Sequence, residues 1–288
     1  MTQAPEALRV LTAANPSPLT GPGTNTFLVG RRQIAVIDPG PDLPKHRQAI
    51  LNAVAGAEIS HILITHAHLD HSGGARALAQ ATGAPILGFG PAEAGRSALM
   101  QRLAAQGGIA GGEGLDRDFL PDQLLGDGAR IESDEWALTA LHTPGHFAGH
   151  LSFRLGDAIL CGDVVMGWSS TLISPPDGDL ADYFRSLTRL EAEDARQLWP
   201  AHGAPIDAPA ARLAELARHR RDRTGQILAA LRQAPDDAEG LARRIYDVPA
   251  QLQRAASRNV LAHLLALAEI GAVETEGPVT AASCFRAL

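Results

Sequence analysis

The segment Thr65-His66-Ala67-His68-Leu69-Asp70-His71 carries the densest chemical signal in the chain. It follows an apolar, β-branched run, His61-Ile62-Leu63-Ile64, whose composition predicts a buried strand. Neutral imidazoles and a carboxylate at such short spacing are the ligands that first-row metals prefer. On a loop after the strand, His66 and His68 can turn to one point while Asp70 and His71 turn to a second. Ordinary surface histidines seldom show this spacing, so the segment predicts a metal site.

Three further polar groups follow predicted strands along the chain. His142-Thr143-Pro144-Gly145-His146 comes after one strand, with His150 close behind. Cys161-Gly162-Asp163 ends a predicted hairpin that turns at Gly156-Asp157, and Ala201-His202-Gly203 ends the strand after that. Because each candidate ligand stands at the carboxyl end of a strand, loops from several strands can bring them to one edge. Any one group alone is a weak signal, whereas the whole series in this order is a strong one.

The order of the predicted elements separates two parts of the chain. Up to about residue 205, short strands such as Gln33–Ile37 alternate with helices, which indicates packed α and β layers. Beyond that point, apolar spacing predicts three helices, and the third, Arg258–Ile270, precedes a short strand at Ala272–Glu274. A turn at Gly277-Pro278, with Val279 beyond it, completes a small hairpin. Three helices followed by a hairpin are typical of a winged helix.

The motif order resembles the complete ligand set of the metallo-β-lactamase superfamily, as in its glyoxalase II-type and nuclease-type members. The motifs are His-x-His-x-Asp-His, Thr-Pro-Gly-His, Gly-Asp and a final His, and the resemblance covers roughly residues 20–205. It implies an α/β fold, an αββα sandwich with two metal ions between its sheets at one edge. The catalytic domain would span residues 1–208, and a small, mainly helical, winged-helix-like domain would span residues 209–288.

Carried over by position, the resemblance implies seven metal ligands. His66, His68 and His146 would hold the first ion. Asp70, His71 and His202 would hold the second, and Asp163 would bridge both. Asp38, in Val36-Ile37-Asp38-Pro39-Gly40, and His150 would stand behind the ligands and orient them. His142 is not expected to be a ligand, and Cys161 is expected to be a packed thiol. A bridging carboxylate favours two divalent ions, with zinc first and manganese or iron also compatible.

Two such ions imply hydrolysis by a hydroxide that bridges them. Metal binding lowers the pKa of water from about 15.7 to near 7, so the hydroxide exists at neutral pH. It would attack a carbonyl carbon or a phosphorus atom, while Asp70 accepts a proton and relays it towards the leaving group. The sequence therefore predicts a metal-dependent hydrolase in which Asp70 is catalytic.

The sequence leaves the substrate class open. Gly21–Val29, Asp182–Leu187, His219–Leu228 and Asn259–Leu265 resemble the β-lactamase-like protein 2 group, which implies a winged-helix-like C-terminal domain and cleavage of single-stranded RNA. The alternative is a thioesterase, lactonase or other small-molecule esterase of glyoxalase II type, which the acidic catalytic part slightly favours. A third hypothesis, a non-catalytic nucleic-acid-binding protein, is disfavoured by the complete ligand set.

The C-terminal part offers two features that bear on nucleic-acid binding. The basic run Arg218–Arg223 can contact phosphates near the mouth of the site, or it can be a solvated helix face that pairs with nearby acids, and the second interpretation is favoured. The third tail helix has few polar residues, Arg258, Asn259 and His263, for reading a groove. It is therefore expected to pack against the catalytic domain.

Composition bounds the remaining choices. The chain has 288 residues, a net charge of −7 and two cysteines, which argues against a large basic surface and against a disulfide framework. No uncharged apolar run reaches the length of about 18 residues that a membrane span needs, so no membrane partner is expected. The N-terminus lacks the basic and apolar regions of a signal peptide, so a cytoplasmic location is expected.

Lys45 is the single lysine among 25 basic residues, which indicates a bacterial coding bias. Gln106–Gly114 predicts a flexible glycine-rich loop, and the oligomeric state stays open, a homodimer included.

Overall fold

Two sheets form the larger part of the fold in this computed structural model, which describes residues 8–109, 111–112 and 114–288. The first sheet has six strands in chain order: β1 Leu8–Thr12, β2 Asn25–Val29, β3 Gln33–Ile37, β4 Glu58–Leu63, β5 Ile86–Gly88 and β6 Gln123–Leu124. The strands β1 to β3 pair antiparallel, whereas β3 to β6 pair parallel.

The second sheet has five strands and mixed pairing. Its members are β7 Arg130–Glu132, β8 Ala137–His142, β9 Leu151–Leu155, β10 Ala158–Gly162 and β11 Gln197–Pro200, in the spatial order β11-β10-β9-β8-β7. Only β10 and β11 run parallel, because the chain between them crosses over through a helix.

Helices accompany the sheets, and local sequence explains where several of them begin and end. In the described residues they are α1 Pro44–Ala53, α2 Leu69–Ser72, α3 Ala75–Thr82, α4 Ala98–Gln106, α5 Leu180–Ala192, α6 Pro209–Gln233, α7 Ala238–Ile245 and α8 Gln253–Glu269, with a 3-10 turn at Ala250–Leu252. Asp179 begins α5 by accepting bonds from the backbone N–H groups of Ala181 and Asp182. Gly83 ends α3 with a φ of 78°, a left-handed conformation that glycine adopts without strain.

Apolar side chains fill the space between the sheets and cover their outer faces. Phe27 of the first sheet and Phe153 of the second belong to one buried cluster between the sheets. On the outer side of the first sheet, α1 and α3 pack through Ile50 and Leu78. On the outer side of the second sheet, α5 packs through residues that include Tyr183. These four layers form an αββα sandwich, as expected from the sequence.

The sheets are joined at the edge where the motif-bearing loops begin. The N–H of Leu151 donates to the carbonyl of Thr65 at 2.8 Å, and the N–H of Asn25 donates to the carbonyl of Ala201 at 2.7 Å. The N–H of Ala201 also donates to the carbonyl of Gly162 at 3.0 Å. The loops after β4, β10 and β11 therefore start side by side.

The helix α6 contributes to two cores. Leu213 and Leu216, near its start, pack with α5 against the second sheet. Ile227 and Leu231, near its end, pack with α7, α8 and the C-terminal hairpin. The helix α4 also enters this second core through Met100, which links the C-terminal part to the sandwich.

The predicted C-terminal hairpin exists, but the expectation that its second strand lies at Val279 is wrong. The strand β12 Val273–Thr275 pairs antiparallel with β13 Phe285–Ala287. Phe285 is buried in the C-terminal core, and its backbone N–H and carbonyl both bond to Asp236, at 2.9 and 3.1 Å. Because these contacts come from a distant segment, the local turn signal at Gly277-Pro278 does not reveal the partner strand.

Parts of two predicted features fall outside the described residues. These are residues 1–7, on which the signal-peptide expectation rests, and residues 110 and 113 of the glycine-rich segment Gln106–Gly114. Within the described part of that segment, the N–H of Gly112 donates to Asp177 Oδ2 and the carbonyl of Gly114 accepts from the N–H of Leu69, each at 2.7 Å. None of the described helices has the length and apolar character needed to cross a membrane.

Candidate metal centre

Three imidazole nitrogens converge just beyond the end of β4. The loop after this strand carries His66 and His68, and the segment before β9 supplies His146. His66 Nε2 lies 2.9 Å from His68 Nδ1, which in turn lies 3.1 Å from His146 Nε2. The structure thus brings together the three residues expected at the first metal position, and their ligand atoms form one compact group.

A second group lies beside the first and contains a carboxylate. The short helix α2 places Asp70 and His71 on one side, and the loop after β11 supplies His202. Asp70 Oδ2 lies 3.5 Å from His71 Nε2 and 3.4 Å from His202 Nε2. These are the three residues expected at the second metal position.

Asp163 lies between the two groups. Its carboxylate oxygens lie 3.3 Å from His202 Nε2, 3.5 Å from His71 Nε2 and 3.7 Å from His146 Nε2. It can therefore reach both groups, which is the position required of a bridging carboxylate.

The separations between these atoms fit metal ligands. Zinc binds histidine nitrogen at about 2.0–2.1 Å in tetrahedral geometry, so ligand atoms around one ion lie about 3.3 Å apart. The observed separations of 2.9 to 3.7 Å lie around that value. His71 Nε2 and Asp163 Oδ1 are also buried without a hydrogen-bond partner among the described residues. Buried polar atoms normally find a partner, and a divalent cation would supply one to each.

The two groups differ in their electrostatics. Burial and the neighbouring His146 lower the pKa of His68 to about 3, so this imidazole is neutral and its nitrogens are free to bind a metal. Burial opposes protonation of His71 as well, but Asp70, Asp163 and Asp38 together raise its pKa well above the ordinary value. Likewise, burial lowers and Asp163 raises the pKa of His202, with a result of about 10. The second group therefore attracts positive charge strongly, in the form of protons or of a metal ion.

Asp38 orients ligands from behind, as its motif implies. It is fully buried and accepts three hydrogen bonds: from the N–H of Thr65 at 2.8 Å, from Thr65 Oγ1 at 2.7 Å and from His71 Nδ1 at 2.9 Å. Because Thr65 Oγ1 donates to Asp38, it is free to accept from His66 Nδ1, 3.0 Å away. Asp38 thus directs His71 itself and His66 through Thr65, leaving the opposite ring nitrogen of each free for a metal.

His150 contacts the site in two ways. Its Nε2 accepts from the backbone N–H of Asp163 at 3.1 Å, and its Nδ1 lies 2.9 Å from Thr143 Oγ1. It therefore positions the backbone of Asp163, and its ring also stacks on that of His66, with the two ring centroids 5.1 Å apart. Gly162 makes room for this contact, because a Cβ there would lie 2.4 Å from His150 Nε2.

Backbone carbonyls orient two of the three remaining histidines of the cluster, His146 and His202. His146 Nδ1 lies 2.6 Å from the carbonyl of Leu172 and 3.0 Å from Thr171 Oγ1. His202 Nδ1 lies 3.2 Å from the carbonyl of Gly23. Sequence reasoning missed these partners, because a carbonyl oxygen carries no residue-specific signal. Thr65 was also missed, although its place directly before His66 was visible.

Two residues near the motifs stay outside the cluster. His142 Nε2 lies 2.8 Å from the carbonyl of Ala148, and its ring stacks on Phe89. Cys161 is buried, its thiol contacts the carbonyl of Val165, and burial raises its pKa. Both outcomes match the expectations from the sequence.

A cleft of about 550 Å³ opens over the ligand cluster. His68, Asp70, His146, Asp163 and His202 form its floor. Its other lining residues are uncharged and come from five parts of the chain: Asn15, Ser17, Pro18, Leu19 and Thr20; Leu69; Gly114; Met166, Trp168, Ser169, Ser170, Thr171 and Leu172; and Tyr246, Val248, Leu252, Ala255, Ala256 and Asn259. Within the described residues, no lysine or arginine lines it.

The basic run Arg218–Arg223 does not form a phosphate-binding surface at this cleft. Arg220 is fully buried, and it donates to the carbonyl of Thr171 and to Asn259 Oδ1. Arg223 lies over the ring of Tyr246 at 3.9 Å. The interpretation as a solvated, acid-paired face is therefore wrong for Arg220, since the burial of this helix between two cores was not visible in the sequence.

The third tail helix packs against the sandwich, as expected. Asn259 Oδ1 accepts from the N–H of Ile173 at 3.0 Å, and Arg258 donates to the carbonyl of Pro175 at 3.3 Å. His263 lies buried with its Nδ1 2.8 Å from Thr224 Oγ1. The three residues considered for reading a groove, Arg258, Asn259 and His263, are thus engaged within the protein.

Comparison with known proteins agrees with the geometry. Residues 19–206 match the metallo-beta-lactamase superfamily, and residues 238–279 match the beta-lactamase associated winged helix domain. The chain is 33% identical over 235 residues to an atrochrysone carboxyl ACP thioesterase of Aspergillus chevalieri, covering 80% of this chain and 67% of that protein. It is 28% identical over 277 residues to a beta-lactamase-like protein 2 homolog of Caenorhabditis elegans, covering 93% and 86%.

The structural comparison covers almost the whole chain. A metallo-beta-lactamase family protein from Thermus thermophilus superposes with a TM-score of 0.80 at 26% identity, over 98% of this chain and 99% of that one. The chain spans 66% of the length of a lactamase-like protein of Aspergillus niger that it also matches. With its four-layered sandwich, its converging histidines and carboxylates and its C-terminal helices and hairpin, the chain belongs to the metallo-beta-lactamase superfamily and carries the associated winged helix domain.

Proposed function

We propose that the protein is a hydrolase that uses two divalent metal ions to cleave an ester or thioester of a small molecule. The observation that carries this proposal is the position of two candidate ligand groups, with Asp163 between them, on the floor of a cleft whose other described lining residues are uncharged. His66, His68 and His146 would hold one ion, and Asp70, His71 and His202 the other. The donor set of imidazoles and carboxylates suits zinc first, with manganese or iron also compatible.

The ions supply Lewis acidity and, by lowering the pKa of water to near 7, a nucleophile at neutral pH. The residues of the chain then have separate tasks. Asp163 would connect the two ligand groups, and His150 fixes the position of the Asp163 backbone by accepting from its N–H. Asp70 is more exposed than the other carboxylate at the centre, with 28% of its side chain accessible against 10% for Asp163. Its Oδ2 faces His71 and His202 as a candidate ligand atom, so its other oxygen, Oδ1, would accept a proton from the attacking water and pass it to the leaving group.

The lining of the cleft favours an ester or thioester over a phosphodiester in RNA. Binding of nucleic acid depends on cationic side chains that neutralise phosphates, and none lines the cleft among the described residues. Arg220, at the centre of the basic run, is buried and bonded to Thr171 and Asn259. The similarity to a curated thioesterase supports the same choice, whereas the RNA hypothesis rests on resemblance to the β-lactamase-like protein 2 group.

The test compares both substrate classes on the metal-loaded protein. Hydrolysis of p-nitrophenyl esters and acyl thioesters is measured beside cleavage of labelled single-stranded RNA. Asp70→Asn should abolish hydrolysis and keep the fold, which circular dichroism checks. Asp157→Asn is the matched control, because this carboxylate lies exposed in the turn between β9 and β10, and it should keep wild-type activity.

Two results would overturn the proposal. Cleavage of RNA without cleavage of any ester or thioester would assign the site to phosphodiesters. Full activity of the Asp70→Asn variant would remove the proposed proton transfer. Cleavage of esters or thioesters that is lost in this variant and kept in Asp157→Asn supports the proposal.

A further inference from the structure

The C-terminal domain supplies one wall of the cleft over the candidate metal centre. Tyr246 and Val248 come from the segment after α7, Leu252 from the 3-10 turn, and Ala255 and Ala256 from the first turn of α8. All five side chains are apolar or aromatic. Asn259 of α8 adds a polar side chain to this lining, so the domain presents a mainly apolar surface to the same cavity whose floor holds Asp70 and His146.

The sandwich supplies an apolar wall of its own, and that wall is unusually exposed. Leu19, Leu69 and Trp168 are 47%, 50% and 49% accessible, and all three line the cleft. Large apolar side chains grouped around a concave site generally mark a binding surface for an apolar group. Such exposure is costly in water unless a ligand covers it.

Polar contacts hold the C-terminal wall in a fixed place relative to the metal centre. Asn259 accepts from the N–H of Ile173, and Arg220 donates to the carbonyl of Thr171. The same short segment, through Thr171 and Leu172, orients the ring of His146. An apolar group lying on the wall would therefore keep a constant distance from the reacting centre, which is what selectivity for size requires.

We propose that residues 246–256 of the C-terminal domain form the acyl-binding wall of the enzyme and determine which acyl groups it hydrolyses. The apolar acyl group lies between this wall and the surface formed by Leu19 and Trp168, with its carbonyl over the candidate metal centre. The winged helix domain then recognises a small apolar group in place of nucleic acid. This inference rests on the proposed ester or thioester hydrolysis. The cleft volume of about 550 Å³ lies in the range of small-molecule sites.

Two substitutions change the size of the wall in opposite directions. Ala255 is half-buried at the cleft surface, so Ala255→Phe adds bulk to the cavity without entering the buried core. Leu252→Ala removes bulk from the same wall. Ala229→Phe is the matched control, because Ala229 is an alanine of α6 that does not line the cleft.

The measurement is kcat/KM of the metal-loaded protein for p-nitrophenyl acetate, octanoate and dodecanoate. Ala255→Phe should lower the octanoate-to-acetate ratio by about 10-fold or more, since one misfitted methylene already changes selectivity by about 10-fold. Leu252→Ala should raise the dodecanoate-to-octanoate ratio. Ala229→Phe should keep the wild-type ratios. Wild-type ratios in both wall variants would overturn the inference while leaving the hydrolase proposal intact.

A binding measurement tests the proposed acyl-binding wall independently of hydrolysis. If the wild type hydrolyses no ester or thioester, the proposed function fails, and calorimetric titration with decanoate then tests the wall alone. Binding to the metal-loaded wild type that is weakened at least 10-fold by Ala255→Phe and unchanged by Ala229→Phe supports an apolar-group site. Equal binding by all three proteins, or binding by none, overturns it.

Discussion

Replacing Asp38 by asparagine should weaken the binding of one metal ion while the protein stays folded. Asp38 accepts from the N–H of Thr65, from Thr65 Oγ1 and from His71 Nδ1, at 2.8, 2.7 and 2.9 Å. An asparagine keeps one carbonyl oxygen for the N–H of Thr65, but its amide NH₂ then faces two other donors. His71 would have to turn its ring or move its proton to Nε2, the atom that faces Asp70 and Asp163.

The magnitude follows from the contacts that are lost. Loss of a residue that orients a ligand histidine typically lowers metal affinity about 10- to 100-fold, which is about 1.4–2.8 kcal/mol. In the metal-free protein, loss of one hydrogen bond to a charged group costs about 1.5–3 kcal/mol of unfolding free energy. The effect should fall on the ion held by His71 more than on the ion held by His68 and His146, because Asp38 reaches the first group only through Thr65 and His66.

The assay combines metal content with competition against a chromophoric chelator. Asp42→Asn is the matched control: Asp42 follows in the same loop, is 61% accessible and pairs with Arg47 at 2.7 Å. Such exposed pairs contribute about 0–1 kcal/mol, so this variant should keep the metal content and the metal affinity of the wild type. Two ions bound by Asp38→Asn with wild-type affinity would refute the reasoning.

Two further predictions concern stability. Gly162→Ala should lower the free energy of unfolding in urea more than Gly156→Ala. Both glycines have a left-handed φ, of 50° and 59°, and this conformation costs alanine about 1–2 kcal/mol. At Gly162, however, the added Cβ would also lie 2.4 Å from His150 Nε2, whereas at Gly156 it would meet no atom within 4 Å. Equal losses would contradict the steric role of Gly162. His263→Gln should make stability less sensitive to acid, because burial lowers the pKa of His263 to about 3 in the folded protein. The unfolded chain takes up a proton below about pH 6.5 that the folded protein refuses, so this histidine costs about 2 kcal/mol at pH 5 relative to neutral pH. Unfolding free energies of both proteins at the two pH values test this, and an equal acid loss in the variant would contradict it.

The identity of the candidate ligands could be predicted from the sequence because each motif is short and chemically specific. His66, His68, Asp70 and His71 lie within one short segment, and the type and order of the later motifs identify the other candidate ligands. Their side chains lie close together in the structure because each motif follows a strand, and these strands end at one edge. The second strand of the C-terminal hairpin was predicted at the wrong position. It contains Phe285, which packs in the C-terminal core and whose backbone bonds to the distant residue Asp236.

The orienting partners could be predicted only in part. Asp38 was visible because it belongs to a motif, but the carbonyls of Leu172 and Gly23 were not, because every residue has one. Arg220 illustrates the same limit. It belongs to a basic run that resembles a solvated face, yet it is buried, since α6 passes between two cores.

The atoms available to bind metal follow from side-chain type and order along the chain, and both can be read without a structure. What surrounds those atoms depends on the folded protein. Trp168 and Leu252 are distant in the chain and have no shared pattern, yet they line one cleft. Arg220 and Asn259 connect the C-terminal domain to Thr171 and Ile173, in the segment that contacts His146, and these hydrogen bonds hold the two sides of the cleft together. Contacts between distant residues therefore set the shape and polarity of the cleft, while local motifs supply the candidate metal ligands on its floor.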